Sequence, residues 1–206
     1  MTGPRLLVPL ALEAVPIRRG APALVIERIG MGPARAKRAT ARIIGESRNP
    51  QPIVLLGVAG GLNHDDRPGD IIVATSLTTI DFEDEIVLGE AASIADLLTR
   101  ERMSVRRGPI VSTSTIIHGE SNRRHAGRNG ALAVDMESYW CGPLAVHHPF
   151  VVVRVLLDVP GIELRSPAVV SAARDTYRAL RAVARTLAQW SPVSVGRYPL
   201  SEVGES

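Results

Sequence analysis

Three acids stand where their chemistry could matter. Asp135 and Glu137 flank Met136 in the segment AVDMESYW (133–140), and Asp158 closes the apolar run 150–157. Carboxylates at the ends of buried strands can move protons or stabilise a cation developing on a substrate. Each has a plainer reading as well. Asp158 is also a candidate helix cap or loop carboxylate, Asp135 a candidate N-cap, and Glu137 an acid favoured in a first helical turn, the reading that Glu13 in ALEA also has. A glycine-rich turn, Gly57-Val58-Ala59-Gly60-Gly61, follows another apolar run. Gly57, Gly60 and Gly61 let backbone approach a ligand closely, or simply make a tight turn. Met136, Ile116 and Ile117 serve equally as pocket wall or as core.

The elements that must position these residues alternate along the chain. Short apolar runs at 6–10, 23–29, 53–58, 70–75, 108–112, 131–134 and 150–157 read as strands, rich in Val, Ile and Leu without polar alternation. Helical pattern covers 33–46, 90–103, 136–146 and 167–190, the first and last opening with Pro33 and Pro167 near the first helical position. The alternation implies an α/β layer fold, a sheet covered by helices on both faces. We expect one domain over 1–190 and a tail, 191–206, that loses the helical period at Pro192, Gly196 and Pro199 and is loose or docked on a neighbouring subunit.

Composition removes several function classes. With 206 residues, 45% of them hydrophobic, the chain can bury a sizeable core and is not a disordered segment. Its apolar runs are broken well short of the roughly 20 residues a membrane helix needs, so no membrane insertion is expected. A net charge of +3 carries little, because Lys37 is the only lysine and the arginines are spread over both halves. No basic stretch interleaved with aromatics supports nucleic-acid binding. The single cysteine, Cys141, suits a reducing, cytoplasmic setting. His64, His118, His125, His147 and His148 have no recognised metal spacing, so no metal is expected, and only His118 stands near a presumed pocket. Neither GxxxxGK[ST] nor GxGxxG occurs, and no nucleotide cofactor is implied.

Taken in order, GMG (30–32), GVAGGL (57–62) with RPGDIIVAT (67–75), GPIVSTSTII (108–117), AVDMES (133–138) and VVVRVLLD (151–158) resemble the nucleoside phosphorylase and nucleosidase superfamily over roughly residues 6–190. The fragments are individually weak and specific as an ordered set. The wording GVAGGL…RPGD and ALAVDMES is most similar to hopanoid-associated phosphorylases, which remove adenine from adenosylhopane; methylthioadenosine/S-adenosylhomocysteine nucleosidases and futalosine hydrolases are the alternatives. The resemblance implies a three-layer α/β/α fold with a mixed central sheet, a homo-oligomer, and cleavage of a purine N-glycosidic bond. A nucleoside-binding protein without turnover is the other class kept open.

The resemblance also implies roles. Asp158 matches the acid that protonates or hydrogen-bonds purine N7, and at the end of a hydrophobic strand it is expected to be desolvated and to keep a proton near neutrality. Glu137 matches the glutamate that holds the ribose hydroxyls, and Met136 the methionine packed under the ribose. Ile116 and Ile117 match the segment bordering the base, where several relatives have an aromatic. Gly60, Gly61 and Val58 fall on the sugar or nucleophile side, and GMGP offers backbone amides to an anion or water. The nucleophile stays open. Relatives commonly carry Ser or Thr at the place of Val58, and phosphate-using hexameric members an arginine near Leu55; neither is present, which disfavours the usual phosphate cradle. Glu13 stands near the water-activating glutamate of nucleosidases, in a register displaced by two residues to Val15. Arg18, Arg19 and Arg154 are the alternative ligands for phosphate as a co-substrate.

Overall fold

The protein is described from a computed structural model that covers residues 3–46, 49–81, 84–162 and 168–192. Eight strands form one mixed sheet: β1 (Arg5–Val8), β2 (Ile26–Arg28), β3 (Ile53–Gly61), β4 (Ile71–Thr79), β5 (Ile86–Val87), β6 (Val105–Ser112), β7 (Ala133–Asp135) and β8 (Phe150–Asp158). The helices are α1 (Ala11–Gly20), α2 (Pro33–Glu46), α3 (Ala91–Arg100), α4 (Glu120–Ala126), α5 (Ser138–Cys141), α6 (Leu144–His147) and α7 (Ala168–Leu187).

Strand β8 runs parallel to β3 and antiparallel to β4, β4 runs parallel to β6, β6 parallel to β7, and β7 antiparallel to β3. These five strands therefore pair in a closed circuit. Beyond it, β1 and β2 extend the sheet from β3, and β5 from β4.

Side-chain alternation divides the core between two faces. Leu6, Val54, Leu56, Val73, Val151 and Val153 pack against α1, α3 and α7, while Leu7, Ile53, Leu55, Ile72, Val152 and Leu156 pack against α2, α5 and α6. Both faces are apolar, which is why the strands read as unbroken hydrophobic runs. The expected three-layer α/β/α arrangement with a mixed sheet is the one observed. Among the described residues no helix is long and apolar enough to cross a membrane.

Several boundaries move. Strands β3, β4 and β6 are longer than their apolar runs, and β2 shrinks to three residues. The helix expected over 136–146 is two short helices divided at Gly142-Pro143. Helices α1 and α4 had no counterpart in the reading of the pattern: Pro16 interrupts α1, and α4 is seven residues of mostly polar type. Pro167 and most of the tail 191–206 lie outside the described residues.

Candidate active site

The ends of β3, β6, β7 and β8 converge on a cavity lined by Glu13, Val58, Gly60, Ile116, Ile117, Asp135, Met136, Glu137 and Asp158, with Pro9, Leu10, Met31, Ala59, Thr113, Val134 and Leu157 completing its wall. The four acids are each at least nine-tenths buried. They divide into two groups.

One group surrounds Arg154, which β8 delivers, fully buried, into the layer beneath the cavity. Its Nε and Nη2 donate to Oδ2 of Asp135 at 2.8 and 2.7 Å, and Nη2 also faces Oε2 of Glu137 at 3.4 Å. Asp135 is held on every side. Oδ1 accepts from the Ser112 hydroxyl at 2.5 Å and from the amides of Glu137 and Ser138, and Oδ2 accepts from the Ser138 hydroxyl. Asp135, read as either an N-cap or a substrate contact, lines the cavity, and with both oxygens engaged by protein donors it fixes Arg154 and the turn into α5. Glu137 accepts from the Gly32 amide at 2.8 Å. The GMGP turn thus gives that amide to an acid rather than to an external anion.

Glu13 sits in the first turn of α1 and is 2% exposed. One oxygen accepts from the Leu10 amide at 2.7 Å and the other from the Val58 amide at 2.8 Å. The helix-start and pocket readings of Glu13 are therefore both met by one side chain. Gly57 lies behind it rather than on the wall: a Cβ there would come within 2.4 Å of Arg154 Nη1 and 3.0 Å of Glu13 Oε1. Only glycine lets the guanidinium and this carboxylate approach the strand together. Among the described residues, Arg154 Nη1 has no hydrogen-bond partner.

Three carboxylates around one guanidinium leave an excess of negative charge in a buried place. Burial pushes the Glu137 carboxyl up to about 7, with Arg154 opposing the rise and Asp135 adding to it. Burial likewise raises Glu13, against the Val58 amide and Arg154. For Arg154, burial disfavours the charge, but Asp135 and Glu137 outweigh it and hold the guanidinium above its ordinary value.

The second group is a pair. Asp158, expected to be desolvated at its strand end, is buried and also paired: Arg123 of α4, only 1% exposed, donates from Nη2 to its Oδ2 at 2.5 Å and from Nη1 to the Gly61 carbonyl at 2.7 Å. Gly61, expected on the ligand side, is absent from the cavity wall; a Cβ there would meet Asp66 Oδ2 at 2.5 Å, so its bare Cα makes room for that acid. His118 is also absent from the wall. Arg18 and Arg19 are exposed at the far end of α1, and Arg154 is enclosed by carboxylates, so none of the three lines the cavity as a phosphate ligand.

Arg123 was not singled out in the sequence, because it sits in an unremarkable polar stretch, ESNRRHA, with no apolar period. Arg154 was noted for its charge, whereas its signal was placement: an arginine inside the apolar run VVVRVLLD must find buried anions.

Comparison with known proteins agrees with this architecture. The 5′-methylthioadenosine/S-adenosylhomocysteine nucleosidase of Bacillus subtilis is 28% identical over 162 residues, 68% of this chain and 70% of that protein. The corresponding Bacillus cereus protein is 25% identical over 165 residues, with the same shares covered. A futalosine hydrolase mutant of Helicobacter pylori has a similar fold, with a TM-score of 0.76 at 15% identity over 91% of this chain and 98% of that one. The nucleosidase of Neisseria meningitidis in complex with methylthio-immucillin-A superposes with a TM-score of 0.73 at 18% identity, over 91% and 97% of the two chains. Residues 18–189 match the model of the phosphorylase superfamily, and the chain belongs to that family.

Proposed function

We propose that this protein is an enzyme that cleaves the N-glycosidic bond of an adenine nucleoside, with water as the nucleophile. One observation carries the choice of water: among the described residues lining the cavity there are four carboxylates and no Lys, Arg or His. A phosphate dianion would meet uncompensated negative charge there, whereas a sugar acquiring positive charge is stabilised.

Glu13 accepts a proton from water as oxygen adds to the anomeric carbon, its proton affinity raised by burial. The bond from that carbon to the base nitrogen breaks, its electron pair leaves with the purine, and the purine takes up a proton from solvent at N7, where the carboxylate of Asp158 accepts the N7–H hydrogen bond. Glu137 accepts from the ribose hydroxyls, with Met136 packed beneath the ring. Ile116 and Ile117 border the base by aliphatic contact.

Adenosylhopane is the finer substrate reading. Its support is the ordered wording GVAGGL…RPGD and ALAVDMES, and the apolar wall of Leu10, Met31 and Ile116 fits an apolar 5′ substituent. A homo-oligomer is supported by exposed Leu12 and Val15, which flank Glu13 on α1, and by exposed Ile116. A cytoplasmic setting is in keeping with the buried free thiol of Cys141.

The test is base release from adenosylhopane, methylthioadenosine, adenosine and futalosine, each with and without phosphate. Release at equal rates in phosphate-free buffer is expected. Strict phosphate dependence would overturn hydrolysis, and no release from any of the four would overturn the enzyme reading in favour of a binding protein.

A further inference from the structure

The base end of the cavity has a component that the proposed reaction does not itself require. Helix α4 supplies Arg123, whose guanidinium bridges the side chain of Asp158 on β8 and the main chain of Gly61 on β3. The bridge leaves the two oxygens of Asp158 unequal. Oδ2 faces Arg123 at 2.5 Å, while Oδ1 lies beside Gly60, itself part of the cavity wall. A Cβ on Gly60 would fall 3.2 Å from Arg123 Nη1 and 3.3 Å from Asp158 Oδ1, so the strand is bare where the pair needs space. A carboxylate paired with a guanidinium only accepts hydrogen bonds. Its cavity-facing oxygen therefore demands a donor.

Resting on the assignment of this end of the cavity to the base, we propose that Arg123 is a positioning residue that sets base specificity. By holding Oδ2 it presents Oδ1 of Asp158 as an acceptor, which selects a purine with an amino group beside N7 over one with an oxo group there. Either base can offer N7–H to this oxygen; adenine adds a 6-amino donor beside it, whereas hypoxanthine sets its 6-oxygen against the carboxylate. Two acceptors brought together in a buried place discriminate against the oxo base. The family resemblance places Asp158 near N7; the selection by Arg123 follows from the pair itself.

The experiment compares adenine with hypoxanthine binding by calorimetry, and methylthioadenosine with methylthioinosine turnover, in the wild type, Arg123→Gln, Arg123→Lys and Gly60→Ala. The wild type should favour the amino compound by on the order of a hundredfold in both readouts. Arg123→Gln should reduce that ratio at least tenfold, Arg123→Lys should restore part of it, and Gly60→Ala, which crowds the pair without removing it, should lower the ratio rather than act uniformly on both bases. An equal loss for both bases in Arg123→Gln, with the wild-type ratio intact, would overturn the proposal and leave Arg123 a structural support. Should Arg123→Gln not fold, the Lys and Gly60 variants decide the matter by the same ratio. Base discrimination that depends on Arg123 in a protein that releases no base would sink the enzymatic reading alone; turnover with no discrimination between the bases would sink this inference alone.

Discussion

The two ends of the cavity handle buried charge differently. Around Arg154, the carboxylates of Glu13, Asp135 and Glu137 share one guanidinium; at the opposite end Asp158 pairs with Arg123. In the first group burial raises the proton affinity of Glu13 and Glu137, with Arg154 opposing the rise and Asp135 adding to it, as a site that stabilises a cation and recruits a base requires. The second group gives direction: one oxygen of Asp158 is taken and the other is aimed. Catalytic charge and recognition thus lie at separate ends, although both use the same two residue types.

Removing the shared cation tests the contrast most severely. Arg154→Met should cost about 3–5 kcal/mol of stability, because three buried carboxylates lose the guanidinium they share, and denaturant titration reads the loss. A variant as stable as the wild type would mean that the carboxylates bind protons or solvent without needing Arg154. Next in size, Glu13→Gln should lower kcat by about 10²–10⁴-fold, measured by steady-state base release, and cost about 1–3 kcal/mol of stability, because the amide nitrogen cannot accept from the second of the Leu10 and Val58 amides. A wild-type kcat would return Glu13 to a helix-start role and place water activation elsewhere.

The smallest effect concerns pH. Glu137 titrates near 7 in the folded protein against an ordinary 4.5, so between those values the folded chain holds a proton that the unfolded chain has lost. Stability therefore falls as pH rises across that window, and the deficit is complete above about 7. Glu137→Gln carries no such proton, and its Tm relative to the wild type should climb between pH 5 and 8, by about 2–4 °C for each kcal/mol relieved. A difference in Tm independent of pH would show that burial does not raise the Glu137 carboxyl.

How much of this was legible in the sequence follows from the range of each signal. The layer order was legible because apolar runs on strands and periodic helices are local patterns, and the positions of Asp135, Glu137 and Asp158 at strand ends were legible for the same reason. Glu13 could be flagged from ALEA, but its reach to the Val58 amide depends on β1 lying beside β3, which no local pattern states. The pairing of Asp158 with Arg123 was not legible. It joins a polar helix to the end of a strand across 35 residues, and an arginine in ESNRRHA looks solvated until the fold encloses it. Conversely, Gly61 looked equivalent to Gly60, and only strand alternation, which turns one to the cavity and the other to Asp66, tells them apart.

The closed circuit of strands has a consequence for how the protein comes into being. Its closure joins Gly61 to Ala133 and Ile53 to Phe150, and both pairings wait on the synthesis of distant segments. Such non-local closure is slow relative to helix formation, because loop entropy is lost before the contacts reward it. Asp135, Arg154 and Asp158 are carried by the strands that complete the circuit. The carboxylate–guanidinium pairs therefore assemble only when the circuit closes, and a nascent or partly refolded chain with its early strands and helices in place holds Glu13 beside Val58 without them.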